Sequence, residues 1–160
     1  AERIKKANLK ASAVNVPCDL ADLEWKNELL TVGYDKDKKA FGSLLGISYY
    51  LKKVEFEQLV MSISEIMSEG SAICFDYPSV DESAETRKTQ MLTSEAGEQM
   101  KAVYSYKEIG MVLDKHGFKI EEHLDENDMT YRYFREYNQA NPMHQMNAPV
   151  GVGYVYAVKR

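Results

Sequence analysis

Residues 40–77 constrain what this chain can fold into more than any other segment. They hold an apolar run at 40–47 (Ala40-Phe41-Gly42-Ser43-Leu44-Leu45-Gly46-Ile47), a helical pattern at 52–68 and a second apolar run at 71–77 closed by Pro78. A continuous apolar run with small residues suits a strand buried on both faces, and Pro78 has no N–H to donate to a ladder. Between the runs, Val54, Leu59, Val60, Ile63, Ile66 and Met67 recur at helical spacing, with Gly70 as the stop. Strand, helix and strand in this order predict the crossover unit of a parallel sheet.

The flanks extend the pattern. Residues 13–17 read as a short strand ended by Pro17. Residues 19–33 read as a helix whose face is Leu23, Leu29, Leu30 and Val32, with Asp19 or Asp22 as cap and Gly33 past its end. Residues 36–39 and 79–90 are polar loops, and a helix is expected over 95–103. Ser105 and Glu108 form a capping box, opening a helix that turns Ile109, Val112 and Leu113 inward and stops at Gly117. A strand follows at 118–124, then a polar-aromatic stretch at 125–138, helical for part of its length, and a loop at 141–147. Val150, Val152, Tyr154, Tyr156 and Val158 alternate as a last strand. The whole reads as one α/β domain.

A chain of 160 residues with net charge −5 has room for one core, and its charge disfavours a nucleic-acid partner, which needs a basic face. No apolar run approaches the roughly 20 residues that span a bilayer, so no membrane partner is expected. No signal peptide is recognisable, and Cys18 and Cys74 stand in unrelated contexts. The expectation is two free thiols in a reducing cytoplasm. His116, His123 and His144 are scattered and read as structural or surface residues, so no metal site is expected. Glycine-rich phosphate loops, nucleophile elbows and zinc motifs are missing from the sequence, and no catalytic group can be assigned.

Position is the remaining guide, because open α/β sheets take ligands outside the carboxyl ends of their strands. Three such ends can be named: Pro17 to Leu20, Leu45 to Tyr50, and Asp76 to Pro78. Asp19 could read an adenine edge together with a neighbouring N–H, or it could cap the following helix. Gly46 could admit a ligand to the backbone with Tyr49 or Tyr50 lining a pocket, or it could mark a kink beside core aromatics.

At these same segments the chain is similar to the leucine carboxyl methyltransferase family. Val14-Asn15-Val16-Pro17-Cys18-Asp19-Leu20 resembles its V-P-x-D-L motif, and Leu44 to Leu51 resembles its E-G-x-x-x-Y-L motif. Glu69 to Tyr77 resembles its G-S-x-x-x-x-D-Y strand, and His116-Gly117-Phe118 its G-F element. The four occur in the family's order across nearly the whole chain. The resemblance implies a partial Rossmann-like class I methyltransferase fold: a mostly parallel sheet with an antiparallel C-terminal strand, and helices on both faces. It implies S-adenosylmethionine as cofactor and methyl transfer to an oxygen of a small-molecule or peptide carboxylate or hydroxyl. By residue match, Asp19 and Leu20 contact the adenine, Gly46 allows close approach, and Tyr50 sits on the methionine or substrate side.

Two departures qualify these expectations. Leu45 stands where the family has Glu, and the family's glycine-rich loop and ribose-binding acid have no counterpart in these residues. The chain therefore resembles the C-terminal half of a methyltransferase domain without its first two strands. Alone, it is expected to bind the cofactor weakly or not at all. The strand at 40–47 would carry an exposed apolar edge, so either a homo-oligomer or a missing N-terminal half is expected to cover it. The competing expectation is a non-catalytic, degenerate module kept for association.

Overall fold

A computed structural model describes residues 13–80 and 100–160 of the chain. The elements in order are α1 (Trp25–Thr31), β1 (Phe41–Leu44), a 3-10 turn (Ser48–Tyr50), α2 (Lys53–Ile66) and β2 (Ala72–Pro78). They continue with α3 (Tyr106–Lys115), β3 (Phe118–Leu124), α4 (Glu126–Met129), a π-helical segment (Thr130–Phe134), α5 (Arg135–Ala140) and β4 (Val152–Lys159). The strands form one sheet in the order β1-β2-β4-β3. β1 runs parallel to β2, and β4 is antiparallel to both of its neighbours. The three other strands therefore share one direction, and the expected antiparallel last strand is present. It lies between β2 and β3, so the sheet among the described residues is mixed, with one parallel and two antiparallel pairings, rather than mostly parallel.

Alternation along the strands divides the sheet into two unlike faces. Ile73, Phe75, Tyr77, Val155 and Ala157 point to one face and are at most 1% exposed. Phe56, Leu59, Val60 and Ile63 of α2 and Ile109 and Leu113 of α3 cover that face and complete the core. At about 1.5–3 kcal/mol for each large apolar side chain, this layer dominates the favourable side of folding. The other face carries Cys74, Asp76, Glu122, Leu124, Tyr154 and Tyr156, none of them fully buried. The segment after β3 reaches over this face, where Arg132 pairs with Glu122. Helices thus lie on both faces, densely on one and sparsely on the other.

Capping explains the best-defined helix start. The Ser105 hydroxyl accepts from the Glu108 N–H at 3.2 Å, and the Glu108 carboxylate accepts from the Ser105 N–H at 2.8 Å. At the far end of the sheet, the end of β4 ties two strand entrances together. Gly70 N–H donates to the Lys159 carbonyl at 2.9 Å, and Arg160 N–H donates to the Gly117 carbonyl at 2.8 Å. Gly70 and Gly117 have φ of 76° and 78°, a left-handed backbone that favours glycine at both reversals.

Several sequence expectations are corrected. Residues 13–17 form no strand, and Val14 is 69% exposed. Among the described residues no strand pairs with this segment, and an isolated extended segment has no ladder to hold it. The run at 40–47 pairs only over Phe41–Leu44, and it is not buried on both faces, because β1 is a sheet edge with Phe41 64% exposed. The helix expected from Asp19 begins at Trp25. Successive turns precede it, in which the Asp19 carboxylate accepts from Ala21 N–H and that of Asp22 from Glu24 N–H. Aspartates in series satisfy nearby N–H groups locally and delay the helix. Trp25, rather than Leu23, Leu30 or Val32, anchors it in the core. Val54 faces out of α2. Most of the helix expected at 95–103 and of the loop at 79–90 lies outside the described residues, and residues 100–103 are not helical.

A candidate ligand site at the carboxyl ends of β1 and β2

The carboxyl ends of β1 and β2 meet at Asp76. Its Oδ1 accepts from the Gly46 N–H at 2.6 Å, its Oδ2 lies 3.4 Å from the Tyr49 hydroxyl, and its carbonyl accepts from the Ser48 hydroxyl at 2.7 Å. One residue of β2 thus fixes the whole reversal from β1 into the 3-10 turn. Register places Tyr154 of β4 directly opposite Asp76 on the same face. Burial first, and the Asp76 carboxylate second, push the phenols of Tyr49 and Tyr154 above their ordinary range. Both therefore stay protonated and can donate at neutral pH.

The loop held in this way exposes a bare stretch of backbone. Gly46 has φ +71°, and no atom lies within 4 Å of the place its Cβ would occupy. Leu45 is 57% and Tyr50 48% exposed on either side of it. The returning chain closes the rim, with the Lys101 N–H donating to the Tyr49 carbonyl at 3.0 Å and the Tyr104 N–H to the Pro78 carbonyl at 2.9 Å.

Of the sequence candidates, the structure brings Gly46, Tyr49 and Asp76 together. Tyr50 points outward beside them. Asp19 is exposed, its carboxylate engaged in its own turn with Ala21 N–H at 2.9 Å, and Leu20 next to it is half-buried against the core. Sequence reasoning missed Ser48 and Tyr154. Ser48 had no signal beyond its place in the loop. Tyr154 could have been found, because its alternation with Val152 and Tyr156 set its face and only the pairing register was lacking.

The second cluster near this end of the sheet is aromatic. The Tyr77 hydroxyl lies 2.9 Å from Nε2 of His123, and the rings of Tyr106 and His123 sit 4.4 Å apart. Burial lowers the pKa of His123 and pushes the Tyr77 phenol up to about 12. Cys18 and Cys74 are both free, as expected. Among the described residues no cluster of metal-ligating side chains occurs, and no helix is long and apolar enough to cross a membrane.

Residues 1–64 match the model of the leucine carboxyl methyltransferase family. The chain is 30% identical over 174 aligned positions to YktD of Bacillus subtilis (strain 168), itself a proposed S-adenosyl-L-methionine-dependent methyltransferase. That alignment takes in 99% of this chain and 55% of the relative, so the chain spans about half of that protein's length. Among solved structures, the mitomycin 7-O-methyltransferase MmcR superposes with a TM-score of 0.60 at 13% identity, over 99% of this chain and 38% of its own. Magnesium protoporphyrin IX methyltransferase from Synechocystis PCC 6803, solved with bound SAH, gives 0.57 at 11% identity, over 99% of this chain and 57% of its own. At such identities these two likenesses speak for the fold alone, and the sheet order and antiparallel last strand agree with them. This chain is similar to the leucine carboxyl methyltransferase family over residues 1–64 and carries part of the methyltransferase fold.

Proposed function

We propose that this chain is the C-terminal half of an S-adenosylmethionine-dependent O-methyltransferase acting on a carboxylate or hydroxyl of a small molecule or peptide. The observation that carries this reading is the loop anchored by Asp76. It sits at the carboxyl ends of two parallel strands, in a sheet ordered β1-β2-β4-β3, where open α/β sheets take their ligands. The class of YktD and the SAH bound to the Synechocystis enzyme support the choice of cofactor.

The residues present fit one side of such a cofactor. Gly46 faces open space, Leu45 and Tyr50 offer apolar and aromatic flanks, and Asp19 offers a carboxylate beside the anchored Leu20. We assign the adenine to Asp19 and Leu20, the close approach to Gly46, and the methionine or acceptor side to Tyr50. When bound, the cofactor supplies a methyl group activated by a sulfonium. A carboxylate acceptor brings its own nucleophile, so the chain has to orient it and exclude water rather than move a proton. Asp76 serves that purpose by fixing the loop, with both oxygens already engaged. Two free thiols suit a reducing cytoplasm.

A second reading, a degenerate association module, is favoured by Leu45 in place of the family Glu and by the exposed edge at Phe41. Calorimetric titration of S-adenosylmethionine separates the two. We expect weak or no binding to the 160-residue chain, and micromolar binding once a longer polypeptide supplies the glycine-rich loop. Micromolar binding by the chain alone would refute the dependence on that loop. No binding by the longer polypeptide would favour the module.

A further inference from the structure

The segment between β3 and β4 builds a second hollow that the methyl-transfer reading does not use. α4, the π-helical segment and α5 form one wall, and the loop at 141–148 forms the other. Three side chains stitch the walls together. The Thr130 hydroxyl accepts from Ala148 N–H at 2.9 Å. The Asn138 amide both donates to the Met146 carbonyl at 2.8 Å and accepts from its N–H at 2.7 Å. The Asn141 amide donates to the Tyr137 carbonyl at 2.9 Å. The space between the walls is a shallow hollow open to solvent, about 500 Å³ in volume. π-helical turns inside helices occur often at functional sites.

Arg135 gives this hollow its chemistry. Its Nη1 donates to the Tyr131 hydroxyl at 2.9 Å, and the guanidinium lies 5.0 Å from the centre of the Tyr131 ring. On this exposed surface the guanidinium's neighbour is therefore a neutral phenol rather than a carboxylate. The two other arginines of the described residues are paired with carboxylates, Arg132 with Glu122 and Arg160 with Asp114. Among the described residues no carboxylate lies within ion-pair distance of Arg135. Asp128, which lines an adjoining hollow together with Arg135, is turned to the Asp125 N–H instead. The other polar groups facing the space are the neutral amides of Asn127, Gln139 and Gln145, and Tyr131 and Pro142 add flat apolar surface.

We infer that this hollow binds a small planar carboxylate, with the acid on Arg135 and the flat body against Tyr131 and Pro142. A guanidinium offers paired donors that match a carboxylate. A single cation with no lysine on the wall, in a chain of net charge −5, suits a monoanion better than a dianionic phosphate. The site opens directly after Leu124. Its lining starts at Asn127, three residues on, and Leu124 itself pairs with Tyr154, which in turn pairs with Asp76. The inference does not depend on methyl transfer.

The test is a titration of the whole chain followed by backbone amide NMR, with 4-hydroxybenzoate, 4-hydroxybenzamide and inorganic phosphate as probes. Shifts at Tyr131, Arg135 and Gln139 are expected with 4-hydroxybenzoate alone, weakened about tenfold or more in Arg135→Gln, with other amides unmoved. The unmoved amides show that the variant is folded. Equal response to the neutral amide, a stronger response to phosphate, or full binding by Arg135→Gln would overturn the assignment, as would no response to any probe.

Discussion

The N–H of Gly46 and the carboxylate of Asp76 lie 2.6 Å apart, which ties the turn after β1 to the strand beside it. Asp76→Ala leaves the Gly46 N–H and the Tyr49 hydroxyl without their acceptor. Because Gly46 is exposed and water can replace the acceptor, the expected cost is about 0.5–1.5 kcal/mol in urea unfolding, with faster hydrogen exchange at the Gly46 amide. Asp76→Asn keeps an acceptor and should lose less. Equal losses in the two variants would show that the hydrogen bonds do not set the loop.

Gly153 sits opposite Tyr77 in the β2–β4 ladder, and a Cβ there would lie 2.4 Å from Cζ of Tyr77. The ring cannot swing away cheaply, because it is 1% exposed and its hydroxyl is engaged with His123. Gly153→Ala should therefore destabilise the chain by about 1–3 kcal/mol through overpacking. A thermal melt unchanged from wild type would contradict this. Gly153→Ala combined with Tyr77→Leu should recover part of the loss.

His123 prefers its neutral form in the folded chain, because burial lowers its pKa below the ordinary 6.5. A depressed histidine contributes stability that is fully present above the unfolded value and is lost as pH falls through the folded one. The imidazole signals of His123 should titrate below 6.5 by proton NMR. A wild-type midpoint above 6.5 would rule out burial as the dominant influence on this ring.

The carboxyl of Glu108 is held down to about 2, first by Lys53 at 2.5 Å and then by the N–H and hydroxyl of Ser105. Its contribution to stability is present above the ordinary 4.5 and should fade as pH falls from there towards 2. Its side chain is 38% exposed, so solvent screens the effect. Glu108→Gln should flatten the stability profile between those two pH values, as read by urea midpoints, and lower the midpoint near neutrality, where the carboxylate's contribution is fully present.

Among the described residues nothing pairs with the outer side of β1, where Phe41 is 64% exposed, and exposed edges invite a second chain. Self-association at micromolar concentration is expected by light scattering. Phe41→Lys should shift the chain towards monomer without changing its circular dichroism. A wild-type monomer with a dispersed amide spectrum would refute it.

Much of this fold could be read from residue patterns, and the failures have physical causes. α2, β2, α3 and β4 were legible because burial on one side imposes a period of 3.6 or 2 on their residues. Residues 13–17 have the composition of a strand, yet a strand exists only where a neighbour pairs with it, and composition does not carry the neighbour. The edge position of β1 followed from topology rather than from its apolar residues, which alone suggested a central strand. In the candidate site, Gly46, Tyr49 and Asp76 were readable as strand ends. Their convergence on one carboxylate depends on the register of three strands, as does the placing of Tyr154. The hollow around Arg135 was not legible at all, since it arises from long side-chain bonds between α5 and a loop of no regular pattern.

Among the described residues β3 has a single neighbour, and that neighbour, β4, comes after it in the chain. During synthesis β3 must therefore leave the ribosome with both sides bare and wait until residues 125–151 have followed. One side of β2 is in the same position, since Phe75 and Tyr77 pair with β4 residues that do not yet exist. A nascent chain halted anywhere before Val152 would hold half a sheet and an open aromatic layer, a form open to chaperones and proteases. Protection from them should appear late and all at once, when β4 slides between its two neighbours.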